Sequence, residues 1–298
     1  MNKLKLFFAA AISAALVFGC QPSEDNFVAP TDAVPSEITA KLNQLGFNTI
    51  DFQVKKFREG YLVENDIYLT ERDMNRMGVG SRIATVEQYS TDNLVNAGSG
   101  RLITIYAEEE STGGGGGGNG KGGGKPNKVS NAAFSSGMIA GLDLAIARYN
   151  AENLSITFER INDPNAADIT LSRLSKGEER QGILGSAGFP TASGDPYNII
   201  RMSGILESTY GLSTEGIATI IAHEMGHCVG FRHTDYFDRS ISCGGGLANE
   251  GASTVGANHI PGTPTGATLA AKSWMLACTD GGDRPFNNDD KTALDYLY

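Results

Sequence analysis

The sequence predicts an α+β protein in which a mixed domain of about two hundred residues follows a small N-terminal unit. Three observations carry this. The 298 residues are 40% hydrophobic, enough for one large core or a smaller pair. From Arg101 the order of periodic runs is strand, helix, strand, strand and a further edge strand, rather than a regular strand–helix alternation. A long apolar helical stretch follows, and beyond it the chain becomes glycine-rich and loses its periodicity. No internal repeat is present. The formal charge of −10 excludes the basic footprint of a nucleic-acid binder.

The first residues read MNKLKLFFAAAISAALVFGC, two lysines followed by an apolar run from Leu6 to Phe18. That run is shorter than the roughly 20 residues a membrane-spanning helix needs, so residues 1–19 read as a signal peptide. LVFGC resembles a bacterial lipobox, which makes Cys20 the expected lipidated first residue; the competing reading is plain secretion, with Cys20 merely near the cleavage site. The expected location is outside the cytoplasm, membrane-anchored and facing the periplasm or the cell surface. Residues 20–35 are polar and proline-bearing, a tether between lipid and fold.

Structure begins in SEITAKLNQLGF, where Ile38, Leu42 and Leu45 fall on one helical face and Ser36 stands where a cap belongs. YLVENDIYLT reads as a strand and TERDMNRM as a short helix starting near Thr70. These make up an N-terminal unit, residues 36–97, that is either a removable propeptide blocking a cleft or a permanent accessory domain. It has no cysteine to lock a metal; an acid such as Asp66 or Asp73 is the available substitute.

The main domain, residues 98–298, opens with the alternating strand RLITIYAEE. Residues 111–127, STGGGGGGNGKGGGKPN, hold too many glycines to be fixed cheaply and read as an insertion; they lack the GxxxxGK[ST] spacing of a phosphate loop. A helix of about five turns is expected from Ser130, with Phe134, Met138, Leu142, Ala145 and Ile146 near one face. SITFERI and ADITLSRL are the next strands, and GILGSAGFPTASGDPYNIIRMSG has room for an edge strand.

Three of the four histidines lie in AHEMGHCVGFRHTDY. Ser213 or Thr214 caps the preceding helix and Gly230 ends it. His223 and His227 are one turn apart, so both imidazoles can reach one ion, and a positive φ at Gly230 would swing His233 back to it. Three imidazoles and one open position suit a catalytic zinc ion. Glu224, about 100° round the helix, would stand beside the ion as general base toward a zinc-acidified water. HExxHxxGxxH fixes five positions, far more than chance supplies in so histidine-poor a chain.

HEMGHCVGFRH resembles the metzincin zinc peptidases, and HEMGH followed by RHTDY is most similar to the bacterial dual-action HEIGH metallopeptidases. SWM, Ser273–Met275, resembles the clan's Met-turn, and FNNDDKTALDYLY its closing helix, with Asn287 as cap and Asp290 three residues on. The resemblance implies a metzincin-like zincin fold, with a mixed twisted sheet whose edge strand takes substrate, a long active-site helix and an irregular C-terminal lobe. It also implies a zinc endopeptidase acting on peptides or proteins, with Met275 packed beneath the ligands. Two departures stand out: SWMLAC lacks the tyrosine that some relatives place after the Met-turn, and Thr234 follows His233 where several carry a charge. Rival readings are an adhesion lipoprotein that keeps the site without turnover, and a zinc hydrolase of a non-peptide amide.

Of the other residues, Asp235 is expected to buttress the turn after His233, and His259 to be a surface-loop histidine. Cys243 and Cys278, both in irregular glycine-rich sequence, are the expected disulfide, with Cys228 a free buried cysteine. The DGGD turn is a weak calcium candidate.

Overall fold

Strand β5 (Arg101–Ala107) buries Ile103, Ile105 and Ala107 while Leu102, Thr104 and Tyr106 face outward, the period-two pattern that pins a strand to one core face. It lies second in a five-stranded sheet of order β6-β5-β7-β9-β8. The other members are β6 (Ile156–Ile161), β7 (Ile169–Arg173), β8 (Gly185–Ser186) and β9 (Ile199–Met202). All pairs are parallel except β8 with β9, which makes β8 an antiparallel edge. The computed structural model describes residues 33–45, 47–76, 88–110, 133–251, 255–264 and 266–298. All belong to one compact unit, Ala33–Tyr298. The signal segment 1–19, Cys20, the tether as far as residue 32 and the glycine-rich insertion at 111–127 lie outside the described residues.

Two helices pack against each other beneath the sheet, α3 (Ser136–Asn150) and α5 (Thr214–Cys228). They pack tightly at Gly141, where an added Cβ would lie 2.4 Å from Ile217. The core between sheet and helices gathers Ile103, Phe158, Ile169, Leu142, Tyr149 and Ile221. The sequence placed the start of α3 too early. Ser135 caps it, its side chain accepting from Met138 N, and Phe134 stays extended, bridged to Glu109. Only four helical turns remain. The glycine-punctuated run after Arg180 holds two strands rather than one.

The N-terminal segment folds as α1 (Ser36–Gln44), a three-stranded antiparallel sheet of β1 (Lys55–Phe57), β2 (Gly60–Val63) and β3 (Ile67–Leu69), and α2 (Glu71–Arg76). Two expectations change here. Pro35 occupies the cap position of α1 with no side-chain cap bond, so Ser36 is the first helical residue. YLVENDIYLT is a hairpin rather than one strand, because Glu64 and Asn65 adopt left-handed φ of 52° and 77° and reverse the chain. The unit's own cluster, Leu42, Phe47, Tyr61, Val63, Ile67 and Met74, also takes in Phe189 and Val255 from later in the chain. Residues 66–68 run along the edge of β8: Ala187 N donates to Asp66 O (3.2 Å) and Tyr68 N to Ala187 O (3.0 Å), a parallel bridge.

The C-terminal lobe carries α4 (Lys176–Glu179) at its border, α6 (Ser240–Cys243), a two-stranded ribbon of β4 (Tyr89–Ser90) with β10 (Asn258–His259), and the closing helix α7 (Asn288–Leu297). Asn287 and Asp290 form the capping box of α7. Cys243 and Cys278 are bonded, and Cys228 is free and buried.

Candidate metal centre

Helix α5 is apolar because it crosses the middle of the molecule: every residue from Gly216 to Cys228 is buried. Its first turn is satisfied by Ser213, whose hydroxyl accepts from Gly216 N (3.3 Å). The last turn ends at Gly230, where φ is 106° and a Cβ would sit 2.8 Å from Leu94 and 3.0 Å from the Asn93 carbonyl. Only glycine accepts that combination. The chain then reverses, Phe231 N donating back to Gly226 O (2.9 Å), and brings His233 against the helix.

The three imidazoles meet with their Nδ1 atoms tied outward. Nδ1 of His223 bonds the Trp274 carbonyl (2.9 Å), that of His227 the Phe231 carbonyl (2.9 Å), and that of His233 the Glu250 carboxylate (2.6 Å). Outer partners of this kind fix the ring orientation and leave Nε2 for an ion. Nε2 of His227 and Nε2 of His233 are 3.2 Å apart. That matches the edge of a tetrahedron whose metal–nitrogen bonds are about 2.0–2.1 Å. Burial and the neighbouring His233 push His223 down to about 4, and burial with the other two rings lowers His227, so both stay neutral and able to ligate. His233 differs. Burial would lower it, but Asp66 and Glu250 prevail and raise it to about 10, and the proton on its Nε2 is one that an ion bound there would displace.

Asp66 is the fourth member. It reaches in from the hairpin between β2 and β3, and its Oδ2 lies 3.0 Å from His233 Nε2. Ligand atoms of Asp66, His223, His227 and His233 all fall within 4.8 Å of one another, and no other such group occurs among the described residues. The donor set, three imidazole nitrogens and one carboxylate oxygen, suits zinc. Asp73, named beside Asp66 from the sequence, is elsewhere: it accepts from Thr70 N and Oγ1 at the start of α2.

Glu224 is buried beside the trio, its carboxylate against the edge strand. A Cβ on Gly185 would meet Glu224 Oε1 at 2.4 Å, so glycine there leaves the acid its place. Its Oε2 has no hydrogen-bond partner among the described residues. Burial, then Asp66, push its pKa up. A cavity of about 310 Å³ opens beside it, lined by His223, Glu224, Leu184, Trp274, Leu276 and Arg284.

Met275 is fully buried under the ligand helix, and Gly226, the glycine of HEMGH, lets it in: a Cβ there would be 2.6 Å from Met275 Sδ. Thr234 ties the two segments, its N donating to Met275 O (2.8 Å) and its hydroxyl bonding Ser273 (2.8 Å). Asp235 accepts from Ser242 Oγ (2.6 Å) and Ala277 N (2.9 Å), linking the turn after His233 to the Met-turn. His259 is set apart in β10, with Nε2 on Thr263. Asp280 and Asp283 of DGGD pair with Arg284 and Arg148.

The surroundings of His233 escaped sequence reading. Glu250 contacts Arg232 (3.4 Å) and Arg239 (3.0 Å), and Arg232 also approaches Glu64 (3.7 Å). Burial would raise Glu250, yet His233 and the arginines hold it below its usual value; burial and Glu250 push Glu64 up. Glu250 sits in a glycine-rich stretch with no periodicity, and no local pattern marks it.

Residues 123–298 match the family described as dual-action HEIGH metallopeptidases. Two solved structures of myroilysin resemble the chain: one at 12% identity over 69% of this chain and 96% of that one, TM-score 0.36, the other at 13% identity over 76% and 95%, TM-score 0.32. No curated protein matches the sequence. With more than half of its length matched, including every residue of the histidine motif and the Met-turn, the chain belongs to the dual-action HEIGH metallopeptidase family.

Proposed function

We propose that this metallopeptidase is an exported, lipid-anchored zinc endopeptidase made in a latent form, with residues 36–76 as its propeptide; the unit expected to end at 97 is cut shorter because Tyr89, Ser90 and Val95 pair and pack within the main domain. The carrying observation is the convergence of three outward-tethered imidazoles beside Glu224 at the mouth of a cavity. His223, His227 and His233 would hold zinc, which when bound supplies a Lewis acid and an acidified water. Glu224 takes the proton of the attacking water and returns it to the leaving amine; its unpartnered Oε2 is the atom suited to this. Strand β8 borders the site with a free edge wherever residues 66–68 are absent, and an extended substrate can pair there.

Latency follows from the hairpin. Asp66 takes the coordination place that a catalytic site keeps open. Residues 66–68 cover the edge that a substrate would use. Export and anchoring rest on the N-terminal apolar run and Cys20.

The test is peptide digestion by purified full chain, by chain freed of the residues up to 76, and by each as Glu224→Gln, with bound metal counted by elemental analysis. Cleavage by the freed chain, lost in the variant and with chelator, is expected. One zinc per chain without cleavage of any protein or amide would leave a binding lipoprotein instead. Cys20→Ser should move the protein from the membrane to the soluble fraction; unchanged membrane recovery would refute the anchor.

A further inference from the structure

Arg201 is buried on β9 with 5% exposure, and its Nε and Nη1 have no hydrogen-bond partner among the described residues. Directly across on β8 lies Ser186, its register partner, and Ser186 Oγ is buried and unpartnered as well. Orphaned donors of this kind, side by side on one sheet face, are disfavoured unless something completes them. The sheet's opposite face explains the arrangement: Ile200 and Met202 enter the main core, so Arg201 points away from the helices. What covers it comes from the N-terminal unit, with the Tyr68 ring 4.0 Å from the guanidinium and the Phe57 ring at 5.8 Å; Tyr197, from the main domain, is within hydrogen-bonding reach.

Tyr68 belongs to the segment that pairs along β8, and it lies two residues beyond Asp66, which reaches the metal centre. Side chains two apart on an extended segment share a face. A substrate strand that replaces this segment therefore sets one side chain over Arg201 and Ser186. We infer that Arg201 and Ser186 form a subsite that selects an acidic substrate side chain two places from the residue at the metal centre. This rests on the peptidase reading above. A carboxylate would accept from the guanidinium fork and from the Ser186 hydroxyl together, satisfying the groups the hairpin leaves unmet. An aromatic side chain in Tyr68's place would stack but leave them orphaned.

The experiment starts from full chain matured by limited proteolysis, with the retained fragment confirmed by mass spectrometry. Peptides with glutamate walked across the positions on both sides of the cleaved bond, and matched glutamine peptides, give a Glu:Gln ratio of kcat/KM at each position. One position should favour glutamate about tenfold or more, the scale of a charged hydrogen bond. Arg201→Gln should abolish that ratio, Arg201→Lys reduce it, and Ser186→Ala weaken it, so a failure of one variant to fold leaves the others to decide. Binding of the same peptides to the Glu224→Gln protein, read by fluorescence anisotropy, should show the same preference. Ratios near one everywhere, or a preference that survives these variants, overturn the subsite while the peptidase reading stands. Cleavage of no peptide at all removes both.

Discussion

Replacing Asp66 with alanine isolates the latch from the rest of the N-terminal unit. The side chain holds the hairpin through Oδ2, 3.0 Å from His233 Nε2 and 4.0 Å from Arg239 Nη2. Burial would raise this carboxyl, but His233 and Arg239 hold it far below its usual value, so it is ionised. In the zinc-loaded chain the same oxygen would be a metal ligand, a contact worth at least the about 1.5–3 kcal/mol of a hydrogen bond to a charged group, and each 1.4 kcal/mol is tenfold in population. Asp66→Ala should therefore raise the fraction of open molecules, and with it the initial rate of peptide cleavage by full chain, about 10- to 100-fold. It should stay below the rate of chain freed of the residues up to 76, because the Ala187 pairing and the bond from Arg239 to the Glu64 carbonyl remain. The assay is a quenched-fluorescent peptide at equal protein, with zinc content measured for each sample. Equal rates for wild type and Asp66→Ala at equal zinc, in a preparation whose freed chain is active, would refute the latch.

Four further outcomes are expected. Glu224→Gln keeps its zinc and loses about 10²- to 10⁴-fold in kcat, the range for general acid–base catalysis; a smaller loss with metal retained removes Glu224 from that role. Glu250→Gln weakens zinc binding about 10- to 100-fold in competition with a chromophoric chelator, since the Nδ1 partner of His233 loses its charge; unchanged affinity would count against it. Cys243→Ser with Cys278→Ser lowers unfolding free energy by about 4 kcal/mol for a loop of 35 residues, checked by denaturant titration. Burial pushes Asp290 up to about 7, above its unfolded value of 3.8. The stability it contributes is complete below the unfolded value and fades as pH rises through about 7. The wild-type melting temperature should therefore fall between mildly acid and mildly alkaline buffer, and Asp290→Asn should flatten that fall; parallel curves refute it.

The histidine motif was legible because one helix and one glycine carry it: His223 and His227 need only the 3.6-residue period, and His233 needs only the φ of 106° at Gly230. The strands of the main sheet were legible from alternation, as in Ile103 and Ile105. What escaped depends on contacts between distant segments. Glu64 and Asn65 look like strand interior in YLVENDIYLT, and their left-handed turn is stabilised by Arg239, which lies far along the chain. Phe134 has helical spacing but stays extended through its bridge to Glu109. Asp66 has no local mark that distinguishes it from Asp73; the choice between them is made by the pairing of residues 66–68 with Ala187, which no short-range pattern encodes.

That same distant pairing explains why the hairpin can hold without a covalent link. Arg232 and Arg239 are buried, and the carboxylate they share within the main domain is Glu250. Asp66 is the ionised acid that the hairpin adds, since burial and Glu250 push Glu64 up. Lifting the hairpin takes the Asp66 carboxylate away from Arg239 (4.0 Å) and from the histidine trio. Uncompensated buried charge costs several kcal/mol, so opening is electrostatically opposed even though few residues make the contact. Cutting the chain between hairpin and main domain changes that balance by letting the hairpin diffuse away, which makes its loss irreversible at low concentration. The uncovered surface is then cationic at Arg239 and, on β9 across from Ser186, at Arg201. An acidic residue in a substrate would meet at Arg201 the same kind of charge that Asp66 meets at Arg239, so the charges proposed to hold the hairpin are of the kind proposed to select substrate once it is gone.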